Sequence, residues 1–309
     1  MERTSRRKTR KRGKRIFLII FIILFGCVSA YATYQYKQGL SLASDGKFLE
    51  DAEQVFHGED VKLGKINVLL LGSDSRGEVN ARTDTIMIAQ YDQKAHQSKL
   101  ISIMRDIYVT IPGHGKQKIN AAYAFGGPEL LRQTIKENFQ IDINYYAVVD
   151  FEGFSKIADV LAPGGIEVDV PYEMSHGIGI TIEPGTQILH GKELLGYVRF
   201  RHDRLSDFGR VQRQQEIIGK LKEESLSIGT IIKLPKLLGV IDPYVDTNMD
   251  SITLLMLGKD LIKNQSNDLT TLRIPVDGSY TNERYNNVGA VLNIDLEENK
   301  SAIDQFLSS

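Results

Sequence analysis

The stretch "KINVLLLGSDSRGEVNARTDTIMIAQYD", residues 65–92, decides the architecture of this chain. Its first part, "INVLLLG" (66–72), is a continuous apolar run closed by glycine, as expected of a strand buried on both faces. "DTIMIAQYD" (84–92) reads as a second strand, and "KLISIMRDIYVTIP" (99–112) as a third beyond a turn at 96–98. "KINAAYAFGGPELLRQTIKENF" (118–139) reads as two helical pieces broken at Gly126–Gly127, with Pro128 in the first turn of the second. A strand over 144–151, a helix over 151–161, a strand "GIEVDV" (165–170) and helices "GKELLGYV" (191–198) and "GRVQRQQEIIGKLKEE" (209–224) follow. Two more helical stretches, a strand "LTTLRIPV" (269–276) and a terminal helix "NKSAIDQFL" (299–307) complete the chain. Strands alternating with helices predict an α/β domain, a central mixed β-sheet flanked by helices, over 65–309.

The charge is unevenly spread. Residues 1–15 hold nine of the 38 basic and one of the 39 acidic side chains, so the rest of the chain carries a net charge of −9. A basic tail on an acidic body argues against a nucleic-acid partner for the globular part. The next seventeen residues, "IFLIIFIILFGCVSAYA" (16–32), are uncharged and would span about 25 Å as a helix. Tyr31, Tyr34 and Tyr36 follow, where amphipathic rings suit a lipid boundary. A single-pass transmembrane signal-anchor is expected over 16–34, with the tail cytoplasmic, a stalk over 35–64 and the domain outside the cell membrane. A cleaved secretory signal or a lipoprotein signal ending at Cys27 are the alternatives, each with a poor cleavage pattern. Cys27 is the sole cysteine, so no disulfide forms within the chain.

The chemistry gathers at the strand ends. Asp74 follows the first strand, Arg82 and Asp84 open the second on one side of an extended chain, and Arg105 and Asp106 interrupt the third apolar run. Such groups meet over one edge of a sheet, where open α/β folds bind ligands; the bland alternative is solvated loop charge. "VRFRHDRLSDFGRVQRQQ" (198–215) adds five arginines. If "RFR" is extended, Arg199 and Arg201 share a face while Val198 and Phe200 pack inward. Arg210 and Gln214, four apart on a helix, share another, with Arg213 beside them. Guanidinium groups match phosphate oxygens. Arg82, Arg105, Arg199, Arg201 and Arg210 could hold one highly anionic group, with a divalent metal on the aspartates. Mg²⁺ takes one or two carboxylates plus phosphate oxygens. The ligand stays unidentified at this level. A phosphate loop and a nucleophile-elbow motif are both missing from the sequence. The six histidines lack metal-ligand spacing, and His202 alone falls within the arginine stretch.

"NVLLLGSDSR", "RTDTIMIAQYD", "SIMRDIYVTIPGHGKQKINAAYAFGGPELL", "YYAVVDFEGF", "GKELLGYVRFRHD" and "DFGRVQRQQ" resemble, in order, the motifs of the LytR–CpsA–Psr family over the anchor and residues 65–225. Met104 departs from the family, many of whose members have proline before the arginine. The resemblance implies an extracytoplasmic phosphotransferase of Gram-positive cell wall assembly. It would move an anionic glycopolymer, such as wall teichoic acid or capsule, from undecaprenyl pyrophosphate to peptidoglycan. The acceptor would be a muramic acid 6-hydroxyl, the product a phosphodiester and the leaving group undecaprenyl phosphate. By the same resemblance, Asp74 and Asp84 are the ligands of Mg²⁺ (or Mn²⁺) and, with Arg105, the catalytic set. Arg82, Arg105, Arg199, Arg201, Arg210 and Gln214 bind the pyrophosphate, with Lys118 as an addition. The lipid tail would lie in an apolar tunnel whose walls the sequence does not name. Asp74, Asp84 and Asp106 remain candidates for the acceptor's base. A regulatory role, such as transcriptional attenuation, and a lipid-pyrophosphate-binding protein or plain pyrophosphatase remain as alternative functions.

Overall fold

The structure is a computed structural model and describes residues 3–42, 55–73, 83–225, 228–263 and 269–309. In chain order the elements begin α1 (Arg3–Leu42), β1 (Lys65–Ser73), β2 (Thr83–Asp92), β3 (Gln97–Ile103), β4 (Tyr108–Ile111), β5 (Gly115–Lys118), α2 (Asn120–Phe139), β6 (Tyr145–Asp150) and α3 (Phe151–Leu161). They continue as β7 (Ile166–Val170), β8 (Gly185–Leu189), α4 (Gly191–Arg199), α5 (Asp207–Ser225), α6 (Ile228–Tyr244) and β9 (Val245–Thr247). The last are α7 (Ser251–Lys263), β10 (Thr270–Ile274), β11 (Tyr280–Tyr285), β12 (Gly289–Ile294) and α8 (Leu296–Ser308).

Six strands form a central sheet in the order β10-β3-β2-β1-β6-β9. β1 pairs antiparallel with β2 and parallel with β6, so the sheet is mixed, as expected. Side chains alternate across it. Leu69, Leu71, Ile86, Ile88, Ile101 and Ile103 face Leu131, Ile135 and Phe139 of α2 in one fully buried core. A second core joins α3, α4 and α5 to the β7–β8 hairpin through Ala158, Val168, Leu194, Tyr197, Phe200 and Ile217. β1 is not closed on both faces: Leu70 and Gly72 are half-buried because they face a cavity.

The expected third strand is two. β3 stops at Ile103 because the chain turns at Met104–Ile107, where the Ile107 amide donates to the Met104 carbonyl. β4 then pairs with β5 in a separate hairpin. Arg199 is the last residue of α4 and not part of an extended segment; only from Phe200 is the backbone extended. The break in α2 stands where expected, with Gly127 at φ 61°.

α1 continues through Leu42, into the expected stalk. Residues 55–62 lie against the domain: the Glu59 amide donates to the Ile143 carbonyl at 2.9 Å, and Asn144 Nδ2 donates to the Glu59 carbonyl at 2.7 Å. Among the residues whose side chains are described, no helix is long and apolar enough to cross a membrane. The side chains of residues 16–21 and 24, inside the expected anchor, lie outside that set.

Candidate functional site

The site lies where β1 and β6 end side by side in Ser73 and Asp150 and where β2 begins. Antiparallel pairing places Thr85 opposite Gly72, so Asp84 lies at the same edge, and β3 runs past Ile86 to deliver Arg105 there. Arg105 Nη1 is ion-paired with Asp84 Oδ1, and Arg105 Nε is 3.6 Å from Asp106 and 3.9 Å from Asp207. Lys118 Nζ donates to Asp106 Oδ1 at 2.7 Å. Burial opposes the Arg105 charge, but Asp84, Asp207 and Asp106 outweigh it and raise its pKa. The charges expected to meet over one sheet edge do meet, as far as they are described; Asp74 and Arg82 lie outside the described residues.

Next to this hub is a polar pocket lined by Asp84, Thr85, Phe151, Arg199, Arg201 and Arg210, with Gln214, His176, Gly177 and His202 completing it. Arg105 and Lys118 stand behind Asp84 and do not line it. Arg210 is buried on α5 and donates from Nη2 to the Asp84 carbonyl at 2.9 Å and to Asp207 at 3.1 Å. Burial lowers its pKa. Gln214, one turn on, donates to Thr85 Oγ1 at 3.0 Å. The Arg199 guanidinium is 3.9 Å from the centre of the Phe151 ring, a cation–π contact that orients it without using its donors. The helical turn at Arg199 followed by extended Phe200 still brings Arg199 and Arg201 to one pocket. Val198 and Phe200 are buried, as expected.

Two observations fit an anionic ligand. The Nε atoms of Arg105 and Arg210, like Oδ1 of Asp207 beside them, are buried without a hydrogen-bond partner among the described residues, and a buried donor left unpaired costs about 1–3 kcal/mol. Among the described residues, five cationic side chains, Arg105, Lys118, Arg199, Arg201 and Arg210, lie around three carboxylates, Asp84, Asp106 and Asp207, a positive excess.

Arg213 does not join them. It binds Asp203 at 2.7 Å and the carbonyls of Tyr197 and Phe200, so it braces the loop after α4. Asp207, Thr85, Phe151 and His176 were missed in the sequence. Asp207, three residues before Arg210 on one helix face, carried a usable signal; His176 carried none.

Four residues of this pocket, Thr85, Phe151, Arg199 and Gln214, also line a second cavity of about 210 Å³. It lies between the sheet face (Leu70, Met87, Val149) and α3, α4 and α5 (Phe154, Ile157, Leu195, Val198, Ile217, Ile218). An arginine-rich pocket therefore adjoins an apolar chamber, with four residues in common. The arrangement suits a molecule with a strongly anionic head and a hydrocarbon tail.

Fold and site together define a mixed α/β domain with an arginine-lined pocket beside an apolar cavity at one edge of its sheet. The LytR_cpsA_psr family profile matches residues 32–303, and the chain belongs to that family. It is 44% identical over 278 residues to "Regulatory protein MsrR" of Staphylococcus aureus (strain COL), covering 90% of this chain and 84% of that one. It is 32% identical over 304 residues to "Polyisoprenyl-teichoic acid--peptidoglycan teichoic acid transferase TagU" of Oceanobacillus iheyensis, covering 91% and 92%. The structure of TagT bound to LI-WTA superposes with a TM-score of 0.64 at 26% identity, covering 84% of this chain and 99% of that one.

Proposed function

We propose that this protein is an extracytoplasmic phosphotransferase that moves an anionic glycopolymer, of the wall teichoic acid kind, from a polyprenyl pyrophosphate carrier to peptidoglycan. The observation that carries the reading is the sharing of Thr85, Phe151, Arg199 and Gln214 between the arginine pocket and the apolar chamber. A pyrophosphate held in the first would have its attached prenyl chain beside the second. The teichoic acid transferase TagU and the LI-WTA-bound TagT support the substrate class. The apolar span 16–32 would hold the protein in the membrane that carries the donor.

The acceptor hydroxyl oxygen attacks the phosphorus that bears the glycopolymer. A new P–O bond forms, the P–O–P bridge to the lipid-side phosphate breaks, polyprenyl phosphate leaves, and the hydroxyl proton passes to a carboxylate or to solvent. Arg199, Arg201 and Arg210 would neutralise the phosphate oxygens. Arg105, held by Asp84, Asp106 and Asp207, would act from behind Asp84, fixing that carboxylate and adding positive potential to the site where charge develops.

Asp84 lines the pocket with its side chain 36% exposed, which fits an ion completed by phosphate oxygens and water. Among the described residues no cluster of three ligating side chains exists; by the family resemblance Asp84, with Asp74 outside the described residues, would hold Mg²⁺ or Mn²⁺. When bound, such an ion would offset charge on the transferred phosphate.

The test is incubation of the detergent-solubilised full chain with a lipid-linked glycopolymer and a peptidoglycan oligomer. A covalent polymer–peptidoglycan product with one polyprenyl phosphate released is expected. Release of the polymer phosphate to water, with or without acceptor, would make the protein a pyrophosphatase instead.

A further inference from the structure

The seam between α1 and α6 fixes which edge of the domain faces the lipid. Gly39 and Gly239 meet backbone to backbone. A Cβ on Gly39 would overlap the Lys236 carbonyl oxygen and lie 2.9 Å from the Gly239 Cα; one on Gly239 would overlap the Tyr36 carbonyl oxygen and lie 3.0 Å from the Leu40 nitrogen. Tyr36 Oη also donates to Asp242 Oδ2 at 3.3 Å. As α1 advances from 36 to 39, its partner on α6 recedes from 242 to 239 and 236, so the two helices run antiparallel.

The direction of α6 is set independently. Its last residue, Tyr244, is fully buried, and Tyr244 Oη donates to Glu152 Oε1 at 3.3 Å in the first turn of α3. Val245 then pairs with Val149, next to the Asp150 that ends β6 beside Ser73. The C-terminal end of α6 therefore lies at the sheet edge that carries the phosphate pocket. Because α1 is antiparallel to α6, its N-terminal part leaves the domain at that same edge. Ala32, the end of the apolar run, is one helical turn before Tyr36, about 6 Å. α7 lies at the other end of the sheet, where Asp260 accepts from the hydroxyl of Tyr91, near the end of β2 remote from Asp84.

We propose that α1 is a rigid strut, docked through Gly39 and Gly239, that presents the pocket edge of the domain to the bilayer surface and turns α7 away from it. A tether would let the domain tumble; a strut holds the arginines at the level where lipid-borne pyrophosphates emerge. The inference rests on the proposed function in treating 16–32 as membrane-embedded and the donor as lipid-borne; the energy-transfer comparison depends on the first alone. Gly39 and Gly239 are positioning residues and touch no reacting group.

The test uses the full chain in phosphatidylglycerol–phosphatidylethanolamine vesicles, in a Cys27→Ser background. A fluorophore is placed on Leu205→Cys, in the loop between Arg201 and Asp207, or on Met256→Cys of α7; both positions are exposed, at 47% and 67%. Energy transfer to headgroup-labelled lipid should be clearly stronger from 205 than from 256. Gly239→Leu should bring the two efficiencies together. It should also lower turnover of a bilayer-embedded donor about tenfold while leaving turnover of detergent-solubilised donor within twofold of wild type. Equal or reversed transfer in the protein with Gly239 intact overturns the strut, whatever Gly239→Leu does to folding. A chain that fails to float with vesicles refutes the anchor instead, and loss of turnover in detergent by the unsubstituted chain refutes the proposed function.

Discussion

Arg210 donates from Nη2 to the main-chain oxygen of Asp84 at 2.9 Å, tying α5 to the first turn of sheet at the head of β2. The same guanidinium binds Asp207, and its Nε is left without a partner among the described residues. Arg210 thus ties α5 to β2 while lining the pocket. Arg210→Ala should reduce kcat/KM by tenfold or more, since a charge-assisted hydrogen bond is worth about 1.5–3 kcal/mol. Arg210→Lys should not restore it, because an ammonium cannot reach Asp84, Asp207 and a phosphate in one plane. Steady-state kinetics with a lipid pyrophosphate donor check both.

Arg199 and Arg201 line one pocket. Each Arg→Ala change should cost about tenfold in kcat/KM, and the double change less than the product, because the two share a ligand. A kinetic double-mutant cycle reads this. Effects that multiply freely would mean the two do not meet on the same phosphate group.

Leu70 stands half-buried on the cavity face of β1. Leu70→Trp should fill the chamber without touching the arginines. Turnover of a long-chain polyprenyl donor should fall several-fold, with KM carrying most of the change, while a short-chain donor is spared. Equal losses with both donors would place the lipid elsewhere.

Asp84 holds Arg105 and contributes its carboxylate to the pocket. Asp84→Asn should lower turnover steeply and should also lower the thermal midpoint, because Arg105 loses its ion-pair partner while partly buried. If the carboxylate also holds the metal, chelation should silence the wild-type protein and added Mg²⁺ should restore it, while Asp84→Asn should stay slow at saturating Mg²⁺. Wild-type activity that survives chelation would remove the metal from the reaction.

Glu129 carries a pH prediction. Burial raises its pKa, but hydrogen bonds from Arg132, the His57 amide and Gln133 outweigh this and hold it at about 2, against 4.5 for an ordinary glutamate. The folded state therefore binds this proton less readily than the unfolded chain. The stabilisation is present above about pH 4.5 and is lost as pH falls toward 2. Thermal midpoints measured down that range should fall less steeply in Glu129→Gln than in wild type. Parallel acid limbs would show that Glu129 does not hold residues 55–59 against α2.

The sequence by itself determined the local elements and the address of the site. The apolar runs that end at Gly72 and Ile103 and the one that begins after Asp84 read as strands, and antiparallel succession brings the charged end of the first, start of the second and end of the third to one edge. Arg210 and Gln214 are legible as one face from their spacing alone. Which guanidinium groups are free was decided by tertiary structure. Arg213 has the same chemistry as Arg210, yet Asp203 and two backbone carbonyls consume its donors, while Arg199 is turned by the Phe151 ring from α3. The chamber was equally illegible. An apolar strand such as β1 is written the same way whether its second face meets side chains or a cavity. Only the stand-off of α3, α4 and α5 from Leu70, Met87 and Val149 left that face open. Hydrophobic composition specifies that a surface leaves water; the packing of distant elements specifies what takes the water's place.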